Sequence, residues 1–210
     1  PQALRIVTRL ERRYAGFDGL NLAWETLEGL VKHNGPLLTK GGVPTPRWAG
    51  RGIPAAILEY NAVHDLELGR FAGPEAQAAA LADDIAYDSH DLDDGLRAGL
   101  FELSDLEEVP FLARLMEEID ALHPGLEPSR KIHELARRVI TRFVEDVIAE
   151  STRRIEALAP DSVADIRAAS APVIAFSPAL DEADATIKRF LYARMYRHPS
   201  VLAVRAQADI

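Results

Sequence analysis

Residues 81–96 read LADDIAYDSHDLDDGL, with six aspartates in positions 83–94, no glutamate, and Tyr87 and His90 interleaved. Wound on a helix at ~100° per residue, this stretch and its continuation to residue 103 divide into two faces. Leu81, Ile85, Leu92, Leu96, Leu100 and Leu103 fall on one side, and Asp83, Tyr87, His90, Asp91 and Asp94 fall on the other. A leucine stripe of that length is enough to bury a helix, so the stretch reads as amphipathic α-helix. The same polar side carries the small residues Ala76, Ala79 and Ala80 one to two turns earlier. Aspartate forms helices less well than glutamate because its short side chain competes for nearby backbone groups, so a purely solvating face would draw on Glu and Lys. Lys is absent here, and the pairs Asp84/Asp88, Asp88/Asp91 and Asp91/Asp94 repel with no cation inside the stretch. Either basic side chains from elsewhere neutralise them, or a hard divalent cation does, since Mg²⁺ and Mn²⁺ favour carboxylate oxygen.

Outward from that helix, the 210 residues are 48% hydrophobic and 27% charged, enough for one large domain or two small ones with a substantial core. No stretch approaches the roughly eighteen uninterrupted apolar residues of a membrane span. The opening PQALRIVTRLERRY lacks the build of a signal peptide. With no cysteine there is neither a disulfide framework nor a thiolate metal site, and a cytoplasmic location is expected. Any metal must be held by oxygen and imidazole. A net charge of −9 argues against chain-wide electrostatic binding of nucleic acid. Arg5, Arg9, Arg12 and Arg13 near the start, and Arg189, Arg194 and Arg197 near the end, read as solvated helix faces.

The remaining pattern is also helical. Leu4, Val7, Leu10 and Tyr14 recur at three- and four-residue spacing and predict an opening amphipathic helix with no capping residue before it. A second helix is expected from a cap at Asn21 through Leu27, Leu30 and Val31 to the stop Asn34-Gly35-Pro36. The segment LLTKGGVPTPRWAGRG, 37–52, has no periodicity and is expected to be a mobile loop. Residues 53–68 form a weakly patterned helix, and Gly73-Pro74 starts one expected to continue through Leu103. Ser104 and Glu107 suggest a capping box for a helix ending at His123-Pro124-Gly125. Ser129 is expected to cap the longest helix, with Ile132, Leu135, Val139, Ile140, Phe143, Val147 and Ile148 as one stripe and Pro160 as its end. After a short helix and the extended APVIAFSP, Ser177-Pro178 opens a last helix carrying Leu180, Ile187, Phe190 and Leu191. No paired alternating strands, glycine-rich phosphate loop or repeat is present, so the fold class is all-α.

The stretches QALRIVTRLERRY, FDGLNLAWETLEGLVKHNGPL, YNAVHDLELGRF and EAQAAALADDIAYDSHDLDDGLRAGLF occur in that order over 2–101. Together they resemble the bacterial deoxyguanosinetriphosphate triphosphohydrolase family, within the HD superfamily of metal-dependent phosphohydrolases. The resemblance implies an HD-domain-like helical bundle lacking its N-terminal helices. Residues 1–103 would be the C-terminal part of a catalytic core, with the mobile loop near 37–52, and 104–210 a helical region packed on it. In the family the first metal histidine and the His-Asp motif precede the block that begins here at Gln2, so the catalytic residues are expected upstream of this sequence. Residue by residue, the resemblance makes Asp83 the closing metal ligand, turns Tyr87 and Asp91 to the nucleotide, and gives Lys32 a contact to the triphosphate. Arg5 is conspicuous in the first block and receives no role. His64-Asp65, with His33 as an earlier histidine, is a formal alternative metal pair, but Asp83 follows Asp65 by only eighteen positions, and a turn or surface role fits better.

The activity implied is hydrolysis of a deoxynucleoside triphosphate, dGTP or another, to deoxynucleoside and intact triphosphate. Mg²⁺ or Mn²⁺ would polarise the α-phosphate and activate water, and a tyrosine beside the sugar would help exclude a ribose 2′-hydroxyl. With one of four expected protein ligands, the chain by itself is expected to be inactive. A homo-oligomer is expected, with an apolar face open to self-association, and no membrane partner. A single-stranded nucleic-acid effector acting through the arginine-bearing helices stays open. The competing reading is a helical nucleotide- or partner-binding regulatory module without catalysis; a third is a structural helical domain with a solvated acidic face. A His-Asp motif upstream of residue 1 would favour the enzyme.

Overall fold

The computed structural model describes residues 2–208. In order they form α1 (Gln2–Arg5) running into a π turn (Ile6–Leu10), α2 (Trp24–Lys32), α3 (Pro46–Ala49), α4 (Ala55–Val63) and α5 (Pro74–Arg97). A 3₁₀ turn (Leu103–Glu108), α6 (Pro110–Leu122), α7 (Pro128–Leu158), α8 (Val163–Ala168), α9 (Pro178–Leu191), a second π turn (Tyr192–Tyr196) and α10 (Pro199–Ala208) follow. The fold is all-α: among the described residues there is no strand, only the isolated bridges Tyr14/Phe17 and Leu38/Pro44. No helix among them is long and apolar enough to cross a membrane. The chain forms two compact units, one comprising residues up to Leu81 with Ser151–Ala175, the other Ala82–Glu150 with the chain from Phe176 onward.

The first unit is built on Leu4, Leu27, Leu37, Ile57, Leu66 and Leu68, with Trp24 and Trp48 packed against them. The opening helix ends at Leu10, so Tyr14 lies outside it. Backbone bonds from Gly19 to the Glu11 carbonyl (2.7 Å) and from Leu20 to the Val7 carbonyl (2.8 Å) fold the chain back there, and Tyr14 stacks on Phe17. Asn21 does not cap α2: its φ is +50°, and the extended residue before the helix is Ala23. The expected stop holds, with Gly35 at φ +98°. The 37–52 segment contains α3, and its start is tied down by Leu37 and Leu38, whose N–H groups donate to the Leu68 carbonyl at 2.9 and 3.0 Å. Ala76 on α5 is small for a packing reason, since a Cβ added at Gly29 of α2 would lie 2.8 Å from the Ala76 methyl carbon.

In the second unit α5 stops at Arg97 rather than continuing to Leu103. Gly99 takes φ +64°, and Leu100 N–H closes back on the Gly95 carbonyl at 3.0 Å, a glycine-ended helix stop. The capping box lies two residues earlier than expected: Glu102 and Asp105, not Ser104 and Glu107, exchange the reciprocal bonds. Ser129 sits inside the first turn of α7, behind Pro128, and bonds the Glu127 side chain. On α7 Leu135, Val139 and Phe143 are buried, whereas Ile140 and Ile148, expected on the same stripe, are exposed. Ser177 caps α9 as expected, accepting from Leu180 N–H at 3.4 Å. That helix is not the last, because the second π turn and α10 follow. Phe190 of α9 packs edge-on against Phe101 (5.0 Å), and Phe143 does so against both Phe111 (5.3 Å) and Phe176 (5.1 Å).

Gly95 is required by that packing, because a Cβ there would lie 2.2 Å from a ring carbon of Phe101. At an exposed helical site Gly→Ala gains up to about 1 kcal/mol. At residue 95 overpacking should outweigh this, for a net loss of roughly 1–3 kcal/mol in Gly95→Ala, measured as a lowered Tm. An unchanged or raised Tm would show that the ring yields.

Candidate functional site

Within the second unit α5 exposes Asp83, Tyr87, His90 and Asp94 along one edge and buries Ile85 and Leu92 on the other, as the periodicity predicts. Asp91 is partly buried at the margin. The Tyr196 hydroxyl, from the second π turn, donates a short hydrogen bond to Asp91 Oδ2. Its ring lies 6.5 Å from that of Tyr87, with the planes 16° apart. Burial first, then the bond to Asp91, hold the Tyr196 phenol well above its ordinary pKa, so it stays a proton donor. Asp83 makes no ion pair or side-chain hydrogen bond among the described residues.

Asp88 is the aspartate that the wheel passed over. It is only 2% exposed, and neither carboxylate oxygen has a hydrogen-bond donor. The signal was in the spacing: Asp88 comes three residues after Ile85 and four before Leu92, inside the apolar stripe. Burial, then the charge of Asp184 on α9, pushes its pKa up to about 8, with Lys188 opposing. A proton on Asp88 supplies the donor that two facing carboxylates lack. The cation sought outside the acidic stretch is Lys188, 3.1 Å from Asp84 Oδ1 and 3.0 Å from Asp184 Oδ1. Burial lowers the Lys188 pKa, and bonds to Asp184 and Asp84 more than compensate, raising it. Asp93 is paired separately with Arg97 at 2.6 Å.

Lys32, in the first unit, is not at a surface. It is 1% exposed, its ammonium 2.6 Å from the buried Glu28 Oε2 and 3.3 Å from the carbonyls of Glu67 and Phe71. Glu28 also accepts from Arg167 Nε at 2.8 Å and from Gly73 N–H at 3.2 Å. Trp24 lies under both cations, 4.8 Å from Arg167 Cζ and 5.7 Å from Lys32 Nζ. Burial lowers the Lys32 pKa against the pull of Glu28. The same unit holds an open cavity of about 970 Å³ that brings together Lys40, Arg70 and Arg167 with Asp65 and Glu67. His64 and Asp65 have local roles: the His64 ring rests beside Tyr60, and Asp65 Oδ1 accepts from Glu67 N–H at 2.8 Å. His33 turns its Nδ1 to the Leu30 carbonyl.

Among the described residues no three His, Asp or Glu side chains converge to hold a metal ion, so Asp83 stands as a lone candidate ligand. A helical chain with an acidic, tyrosine-bearing edge defines only a class; sequence relatives narrow it. A deoxyguanosinetriphosphate triphosphohydrolase-like protein of Rhizobium etli is 58% identical over 208 residues, 99% of this chain and 50% of that protein. Proteins of the same description from Azorhizobium caulinodans and Agrobacterium fabrum are 56% and 54% identical over 99% of this chain. No family model matches. Along nearly its whole length the chain is similar to these deoxyguanosinetriphosphate triphosphohydrolase-like proteins, and it spans about half the length of the relatives it matches.

Two stability tests follow from the buried charges. The folded-state pKa of Asp88, about 8, exceeds its ordinary value of 3.8, so between those values the folded chain holds a proton that the unfolded chain does not. The Asp88 contribution to stability is therefore greatest at low pH, falls as pH rises from about 4 to about 8, and is flat above. Asp88→Asn should remove this dependence and, at pH 9, stabilise by roughly 1–3 kcal/mol; equal Tm differences from wild type at pH 5 and pH 9 would contradict it. Glu28→Gln strands the buried Lys32 and the half-buried Arg167 and should destabilise by about 3–5 kcal/mol in denaturant unfolding.

Proposed function

We propose that this chain supplies one part of a metal-dependent deoxynucleoside triphosphate triphosphohydrolase, in which the exposed edge of α5 faces the substrate. The observation carrying the reading is that Asp83, Tyr87 and Asp91, the positions matched to the family motif, are ranged along one edge of a single helix. In the reaction, water adds to the α-phosphorus, the bond to the 5′-oxygen breaks, and that oxygen takes a proton, leaving deoxynucleoside and intact triphosphate. A carboxylate repels phosphate, so the partner of Asp91 is a hydroxyl or N–H donor of the nucleoside. Tyr87, 54% exposed, offers a ring edge to the sugar.

Asp83 is the proposed ligand to Mg²⁺ or Mn²⁺. Among the described residues no further ligands gather around it, and beside it Tyr87 and Asp91 bind and orient the substrate. Lys32 enters as a triphosphate contact through the resemblance; its enclosure by Glu28 and two carbonyls supports a structural part more directly. A cytoplasmic location and assembly into a homo-oligomer belong to the same proposal, as does a single-stranded nucleic-acid effector. The second reading, a nucleotide- or partner-binding module without catalysis, draws on the cavity of about 970 Å³ and its Lys40, Arg70 and Arg167.

The complete protein should release triphosphate from dGTP in the presence of Mn²⁺, and Asp83→Ala should abolish that release and weaken Mn²⁺ binding. The 210-residue chain alone should release none. Metal-dependent release by the chain alone would overturn the division of the site and bring His33, His64 and Asp65 back as ligands. Nucleotide binding without hydrolysis by the complete protein would favour the second reading.

A further inference from the structure

Where α9 ends, the backbone widens. Arg197 N–H bonds the Tyr192 carbonyl five residues back, at 3.2 Å, the closing bond of a π turn. A π turn advances less per residue than an α-helix, and such turns recur at functional sites. Along α9 the buried residues Ile187 and Leu191 are four apart, so a continued α-helix would present Met195 next on that face. Tyr196 closes that wider turn, five positions after Leu191. There it reaches Asp91, 105 residues away in sequence, and lies beside the ring of Tyr87.

We infer that Tyr196 is a positioning residue for the nucleotide-facing edge of α5, orienting the Asp91 carboxylate with its hydroxyl and flanking Tyr87 with its ring. This rests on the reading that Tyr87 and Asp91 face a deoxynucleoside. With Oδ2 engaged by the phenol, Oδ1 is left to accept from a donor on the nucleotide. The carboxylate rotamer is then chosen before binding, which reduces the ordering that binding requires. About two turns away along the same two helices, Lys188 of α9 pairs with Asp84 of α5 at 3.1 Å and ties the helices together near this bond.

The test uses the complete protein with two readouts: dGTP hydrolysis with Mn²⁺, and calorimetric binding of the α-thio analogue of dGTP. Tyr196→Phe keeps the ring and removes the bond. It should raise KM and weaken analogue binding by about tenfold, the scale of one hydrogen bond to a charged group, with kcat within about twofold. In Asp91→Asn the same Tyr196→Phe change should have little further effect, because the partner is already altered. Should Tyr196→Phe lower Tm markedly, analogue binding by Tyr196→Phe, Asp91→Asn and the double variant is compared below all their transitions; losses that simply add overturn the inference. Unchanged KM and analogue affinity in a folded Tyr196→Phe overturn it while leaving the function standing. A wild-type protein that neither binds nor hydrolyses the nucleotide overturns the function, and this inference with it.

Discussion

Lys188 reaches from α9 to Asp84 on α5 while holding Asp184 of its own helix, at 3.1 and 3.0 Å. Six like charges on three turns of α5 oppose packing of that helix against anything acidic, and α9 presents Asp184 to it. The ammonium makes the approach favourable, and Asp88, shielded from water beside it, answers the remaining repulsion by retaining a proton. Two turns beyond Lys188 the same stretch of chain delivers Tyr196 to Asp91. The exposed edge carrying Asp83, Tyr87 and Asp91 is thus held by one charge clamp and one phenol, both coming from residues 188–196.

The first unit solves an analogous problem with the opposite sign. Glu28, wholly buried, receives Lys32, Arg167 and the Gly73 N–H, and Trp24 covers the two cations. Taking three charges out of water is costly unless each finds its partners, and removing one leaves the others stranded. Arg167 comes from α8, 139 residues from Glu28, so this cluster also ties two distant segments of the chain together. Gly29, one position on, lets α2 approach Ala76 closely enough for the cluster to close.

The apolar periodicities of α2, α5, α7 and α9 were legible because helical spacing is a local property, repeated every three or four residues whatever surrounds it. Termini were less so. Asn21, Ser104 and Ser129 have the chemistry of caps, yet the caps lie elsewhere or the chain takes another path. A cap needs the backbone to leave the helix at one residue, and bonds between neighbouring turns and loops, such as Gly19 to Glu11, decide where it leaves. Asp88 was legible in principle, lying between Ile85 and Leu92, but the helical wheel placed it on neither face. Tyr196 had no marker, because nothing in RFLYARMYRH announces that one turn will be wider than its neighbours.

The sequence by itself determined that the chain is all-α, that an aspartate helix with a leucine stripe is its central chemical feature, and that Asp83, Tyr87 and Asp91 share an edge. Those conclusions need only the angle between successive residues. Tertiary structure alone decided that Asp88 is buried, that Lys188 is the cation for Asp84 and Asp184, that Lys32 is enclosed with Glu28, and that Tyr196 meets Asp91. The reason is that desolvation and charge pairing are set by which groups lie within a few ångströms, and here those groups lie up to 139 residues apart in the chain.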